Sequence, residues 1–189
     1  MAASVAVALA APAAYAAPSP FKHDLARASA HLRIAIEIRP SQLAEYLGSS
    51  ELVCGLGERS AARGDESRAQ ANWTTLSQIV GELDRREMRA IVGAYGRADQ
   101  DLVVMRNAYS RAWKGQPRVG ELNLGVKRTR EGIRILRLAM GRIEAAFSKW
   151  EGHDCEGALD AIEAGIRHLG PGLTRVNAGM GRLWRLTEG

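Results

Sequence analysis

The sequence predicts an all-α protein, an antiparallel helical bundle of four to five helices, two of them long. Three observations carry this. Beyond residue 20, apolar residues recur at three- and four-residue spacing almost everywhere, the mark of helices with one buried face. No stretch alternates apolar and polar residues as a half-buried strand does. The chain has only six prolines, and most stand where one periodic run gives way to the next. With 189 residues, 46% hydrophobic and 25% charged, the chain is long enough to build one domain around a substantial core.

The first helix is expected over 23–39, with Leu25, Ala28, Leu32 and Ile36 on one face. Pro40 breaks or kinks it, and Ser41 can cap a short second helix bearing Leu43, Tyr46, Leu47 and Val53. Gly55, Gly57 and Gly64 mark a turn or local distortion ahead of the longest helix, over 65–113. One stripe on it is Trp73, Leu76, Val80 and Leu83. Another is Met88, Ile91, Tyr95, Ala98, Leu102, Met105, Tyr109 and Ala112, offset from Leu83 by five residues. On a regular helix that offset turns the buried face by about 140°, which predicts a bend or a change of packing partner between Arg85 and Glu87. Gly115, Gln116 and Pro117 end the run.

The third long run, over 119–150, has the most regular stripe in the chain. Val126, Thr129, Ile133, Leu136, Met140, Ile143, Phe147 and Trp150 keep the heptad spacing of a bundle seam. Gly152 to Asp154 break it, and Asp154 can cap a helix over 155–168. Gly170-Pro171-Gly172 predicts a turn before a final helix over 173–186.

Residues 1–17, MAASVAVALAAPAAYAA, read as the apolar segment of a secretory leader ending in the small-x-small site Ala14-Tyr15-Ala16, with cleavage after Ala16. The run is too short and too rich in alanine for a membrane anchor, and Pro12 interrupts it. No basic residue precedes it, a departure from the usual leader. Residues 18–22 then form a spacer and 23–189 the bundle. Export exposes the only two cysteines, Cys54 and Cys155, to an oxidising compartment, where a disulfide is favoured over two buried thiols. Closing a loop of about 100 residues removes roughly 4–5 kcal/mol of entropy from the unfolded chain.

The net charge of +5 permits an acidic partner without naming one. Lys127, Arg130, Arg134 and Arg137 recur at three- and four-residue spacing, lining four positive charges beside the seam of the third long helix. Such a row suits acidic envelope polymer or a membrane surface. It also suits an ordinary solvated face whose arginine stems cover the seam's edge. Aromatic residues do not interleave with it, which speaks against nucleic acid.

Other candidates are weaker. His153, Cys155 and Glu156 crowd near Asp154 as a candidate metal cluster but lack a second group to complete a shell, so no metal or other cofactor is expected. Gly55-x-Gly57 lacks both the third glycine and the strand–turn–helix setting of a phosphate loop. His168 is placed to complement a helix C-terminus. Asp99 with Asp101, and Glu156 with Asp160, read as solvent-facing charges. The chain offers no nucleophile elbow and no zinc-protease signature, so no catalytic residue is assigned and an enzyme is the less favoured reading.

The segment Tyr95-Gly96-Arg97-Ala98-Asp99 resembles the Tyr-x-x-x-Asp export signal of the small Trp-x-Gly helical-hairpin proteins of type VII secretion. The resemblance implies that residues 23–99 form a helix–turn–helix unit and that Tyr95 and Asp99 are read by a secretion apparatus. It covers few positions. Gly55-Leu56-Gly57 stands where that family has Trp-x-Gly, and Trp150-Glu151-Gly152 spells the tripeptide only after the signal.

Taken together, these features lead to the expectation of an exported, non-enzymatic helical protein of the cell envelope or exterior that binds a macromolecule, a protein partner or a second copy foremost. A type VII secretion-associated protein and an enzyme or metal-binding bundle of unrecognised kind are the alternatives. The exported chain is expected to begin at Ala17 and to carry the Cys54–Cys155 bridge. Intact-mass measurement checks this: retention of Met1, or two thiols that alkylate without reductant, contradicts it.

Overall fold

The computed structural model describes residues 20–37, 40–83 and 87–188, with the side chains of all of these except residues 37 and 40–44. The expected leader over 1–17, spacer residues 18 and 19, and the side chain of Ser41 lie outside this description. Among the described residues there are six helices and no strand: α1 (Pro20–Glu37), α2 (Pro40–Ala62), α3 (Glu66–Leu83), α4 (Arg89–Ala112), α5 (Arg118–Glu151) and α6 (Cys155–Arg185). The count therefore exceeds the four to five expected.

They pack as antiparallel pairs, α1 on α4, α2 on α3, and α5 on α6. In the first pair Phe21 meets the rings of Tyr109 and Trp113 at centroid distances of 5.0 and 4.9 Å, and Arg27 reaches Asp101 at 3.2 Å. Phe21 is buried, so residues 20–22 belong to the first helix and not to a spacer. Pro20 opens that helix, where its missing N–H costs nothing.

The glycines of α2 do not make the expected turn. That helix runs through Gly55 and Gly57 to Ala62, and the reversal falls at 63–65. Gly64 takes a left-handed φ of 74° there, and Asp65 accepts the Arg68 N–H at 3.0 Å, capping α3. Gly57 serves packing instead: a Cβ at that position would run into the Trp73 ring of α3.

The long run expected over 65–113 is two helices, α3 and α4, on either side of 84–86. Glu87 and Met88 are in π-helical geometry. In such a turn residue i+5 returns to the face of residue i. Leu83 and Met88 are both buried, at 0% and 2% exposure, so the offset of five does not carry the second stripe off the core. The packing partner does change, from α2 to α1. At the end of α4, Ala112 is exposed, and Gly115 with φ of 83° turns the chain into α5.

The closest approach in the fold is between α5 and α6. All eight residues of the predicted α5 stripe are buried. Beside them the sequence holds a second series, unremarked among the larger side chains: Gly125, Gly132, Ala139 and Ala146 on α5, and Ala158, Gly165, Gly172 and Gly179 on α6, each spaced by seven. They face one another in antiparallel register. A Cβ on Gly132 would stand 2.8 Å from the Gly172 carbonyl oxygen, one on Gly165 2.9 Å from that of Ala139, and one on Gly179 2.7 Å from that of Gly125. The two backbones therefore touch. The Thr129 hydroxyl, fully buried at this seam, donates to the Gly125 carbonyl of its own helix at 2.9 Å.

This seam explains why Gly170-Pro171-Gly172 makes no turn: α6 continues through it for 31 residues. Proline removes one helical hydrogen bond, but a break here would pull Gly172 away from Leu136, whose side chain lies where a Cβ would be. The Thr174 hydroxyl donates to the Gly170 carbonyl at 3.0 Å and ties the backbone across the proline. His168 consequently sits in mid-helix and caps no C-terminus. The start of α6 matches its expectation, for Asp154 accepts the Gly157 N–H at 2.9 Å.

The seam predicts opposite outcomes for two glycines of α5. Gly132→Val forces a branched side chain against the Val176 backbone nitrogen and the Gly172 carbonyl, overpacking that costs about 1–3 kcal/mol or more. Gly141→Ala, with nothing within 4 Å of the new methyl, gains about 0.5–1 kcal/mol of helix propensity. Thermal unfolding should show the first variant melting below wild type and the second above it.

Candidate functional site

The basic row lies where its spacing predicts, along the edge of α5 that faces α4. Lys127, Arg134 and Arg137 are exposed and Arg130 is half-buried. Across from them α4 contributes Val92, Asp99 and Arg106, so that the row forms one wall of an open cleft of about 1040 Å³. Val126 and Ile133 underlie it, and Leu138, 51% exposed, stands at its rim.

The four cations are not equivalent. Arg130 is held in a two-point grip by Asp99, Nε to Oδ1 at 2.7 Å and a terminal nitrogen to Oδ2 at 3.1 Å. The two bonds raise the arginine's already high pKa, against a smaller opposing effect of desolvation. With side chains 40% and 29% exposed, this pair contributes at most about 1 kcal/mol, and its main effect is to fix the guanidinium between the walls. Among the described residues, no carboxylate lies within 4 Å of Lys127, Arg134 or Arg137. The cleft also holds Arg106, Glu131 and Glu144, which makes five cations against three carboxylates. Guanidinium and ammonium groups above aliphatic carbon hold anionic ligands by charge and apolar ligands by burial.

The candidate export residues are elsewhere engaged. Tyr95 is 3% exposed in the core of α4, and burial pushes its phenol up to about 12. Asp99 is the partner of Arg130, and Asp101 turns the other way, to Arg27 at 3.2 Å and His31 at 3.0 Å on α1. Neither aspartate is the free solvent charge expected of it. Around Asp101 the α1–α4 joint has its own polar cluster, completed by the Tyr109 hydroxyl donating to Asp24 at 3.3 Å. Burial first, and Asp24 second, raise the Tyr109 pKa. Sequence reasoning gave no sign of this cluster.

The trio considered for a metal is divided among other tasks. Cys155 is bonded to Cys54, 101 positions earlier in the sequence, with Cα atoms 5.9 Å apart, joining α2 to the start of α6. The His153 ring stacks on Trp73 at 3.9 Å, so that Trp73 is sandwiched between His153 and Gly57. Glu156 is exposed. Beside them, the Gly157 N–H and then the Lys149 ammonium hold the Asp154 carboxyl below its usual range.

Next to the bridge, α2 and α6 frame a smaller hollow of about 570 Å³ whose edge is acidic on balance, with Glu51, Glu58 and Glu156 against Arg59, around Leu52. Leu52 is 60% exposed. No helix among the described residues is long and apolar enough to cross a membrane.

No protein-family model, curated protein or solved structure matches the chain.

Tyr95 provides a direct check on whether the Tyr/Asp pair can be presented. Its raised pKa means that the folded state keeps a proton the unfolded state releases near pH 10, so the stability it contributes is present below 10 and is lost between 10 and about 12. An alkaline absorbance titration should show Tyr95 ionising near pH 12 and Tyr109 also delayed beyond the ordinary value, and Tyr95→Phe should remove the step near 12. Ionisation of every tyrosine near the ordinary value in the folded protein would place Tyr95 at the surface.

Proposed function

We propose that this protein is an exported, non-enzymatic helical bundle that binds an acidic macromolecular surface, a protein's foremost, in the cleft between α4 and α5. The observation that carries the reading is the set of three cations without carboxylate partners, Lys127, Arg134 and Arg137, ranged on a rigid helix beside the clamped Arg130. Charges left unpaired on an ordered wall, with Val126 and Ile133 beneath and Leu138 at the rim, fit a partner that brings carboxylates and some apolar surface together. Export is supported by the Ala14-Tyr15-Ala16 site and by the Cys54–Cys155 bridge, which is suited to an oxidising compartment.

The test is neutralisation of the wall. Converting Lys127, Arg130, Arg134 and Arg137 to Gln should leave far-UV helicity unchanged, since Gln is nearly as good a helix former. Binding of poly-L-glutamate at low salt should weaken by about tenfold, taking roughly 0.5 kcal/mol for each of the three exposed cations that lack a carboxylate partner. Wild-type binding should also fall steeply with added salt, because exposed charges are screened over about 8–10 Å at physiological ionic strength. If wild type binds neither poly-L-glutamate nor anionic vesicles at low salt, the wall is a solvated helix face and the proposal fails.

A further inference from the structure

We infer that the occupant of the α4–α5 cleft is the acidic edge of α2 from a second copy of this chain, so that copies join head to tail. The inference rests on the cleft being a binding site, and it names what binds there. The molecule itself carries the complement of the cleft. On α2, Glu51 and Glu58 are exposed, and among the described residues no cation lies within 4 Å of either. Between them stand Leu52 and Leu56, 60% and 40% exposed. Leu52 is more exposed than any other large hydrophobic residue described, and Leu138, at the rim of the cleft, is 51% exposed. Each surface thus combines an excess of one charge, three glutamates to Arg59 along the edge and five cations to three carboxylates in the cleft, with apolar carbon facing water, and apolar carbon in that setting marks an interaction site.

The spacings agree as well. Glu51 and Glu58 are seven residues apart, as are Lys127 and Arg134. Seven residues of helix span about 10.5 Å, so a helix lying nearly along α5 meets both cations with both carboxylates. Leu52, about a quarter turn from the glutamates, then lies toward the apolar floor. Arg130 stays with Asp99, leaving its neighbours to the incoming carboxylates. The two surfaces are on different parts of one molecule, the acidic edge beside Cys155 and the basic wall along α4 and α5. They cannot cover each other within a two-fold pair unless both contacts form at once. A contact between unlike patches propagates, giving a ring if the rotation closes and a chain if it does not.

Two one-sided variants test the inference: Glu51→Lys with Glu58→Lys makes the acidic edge repel the cleft, and Lys127→Gln with Arg134→Gln strips the cleft of charge without creating a partner for the reversed edge. By sedimentation in low salt, wild type should associate with rising concentration up to about 0.1–1 mM, the range of a weak interface. Each variant alone should stay monomeric. Mixed in equal amounts they should form a dimer that grows no further, because only one intact edge and one intact cleft meet. Leu52→Gln should weaken wild-type association while leaving poly-L-glutamate binding unchanged. Wild type that remains monomeric while still binding poly-L-glutamate overturns the head-to-tail contact and spares the cleft as a binding site. Loss of both overturns the two together. Association of wild type with no dimer in the mixture places the interface elsewhere and also overturns the inference.

Discussion

The contact between the α5 and α6 backbones is the constraint on which the remaining architecture rests. Two helices can approach this closely only where the facing positions carry no side chain or a single methyl, and the series of glycines and alanines spaced by seven supplies such positions along the seam. The larger residues on either side, Leu136 against Gly172, Val176 against Gly132 and Leu183 against Gly125, then fill the spaces the glycines leave. Packing of this kind has little tolerance, since a backbone carbonyl cannot swing aside as a side chain can. It also straightens the chain, for Pro171 sits inside α6 without ending it.

A rigid α5 has consequences on its other face. The cations of the cleft are carried by the same helix whose inner side is locked to α6, so their spacing is that of a helix held in register. Asp99 adds a lateral tie from α4 through Arg130. At the far end of the seam, the turn of Gly152 to Asp154 brings His153 onto Trp73 and Cys155 onto Cys54. Those two contacts fasten α3 and α2 to the end of the seam, and Glu51, Leu52 and Glu58 stand exposed on α2 beside the bridge. Both charged surfaces are thus positioned by one seam.

Large apolar residues made the helices legible. The α5 stripe and the Asp154 cap stand where periodicity places them, because each depends on local spacing alone. The seam between α5 and α6 was not legible for the converse reason: glycine and alanine contribute little to an apolar pattern, and a reading tuned to bulk passes over a repeat whose point is the lack of bulk. The same bias turned Gly55, Gly57, Gly170 and Gly172 into expected turns, although Gly57 and Gly172 lie in helices where a neighbour occupies the Cβ position. The five-residue offset after Leu83 was legible for what it marks, a change of packing partner from α2 for α3 to α1 for α4. For the cleft, the row on α5 was legible and its second wall was not. Asp99 and Arg130 are 31 residues apart and on different helices, and only the fold brings them together. Phe21 stands apart from the apolar stripe over 23–39, so periodicity does not place it in the core, whereas its ring packs with Tyr109 and Trp113 across the first joint.

The distribution of charge matters more than its sum. A net charge of +5 would keep copies apart if it were spread evenly, since like charges on two molecules repel at every approach. It is not spread evenly, because the edge of α2 is acidic and the wall of α5 is basic. At distances beyond the screening length of about 8–10 Å two copies repel weakly. Within it, the approach of patches with opposite excess charge is favoured over the approach of like patches. Segregated charge on a rigid body therefore selects an orientation before any apolar contact forms. The exposed leucines at both patches then gain by burial only in the orientation the charges have selected.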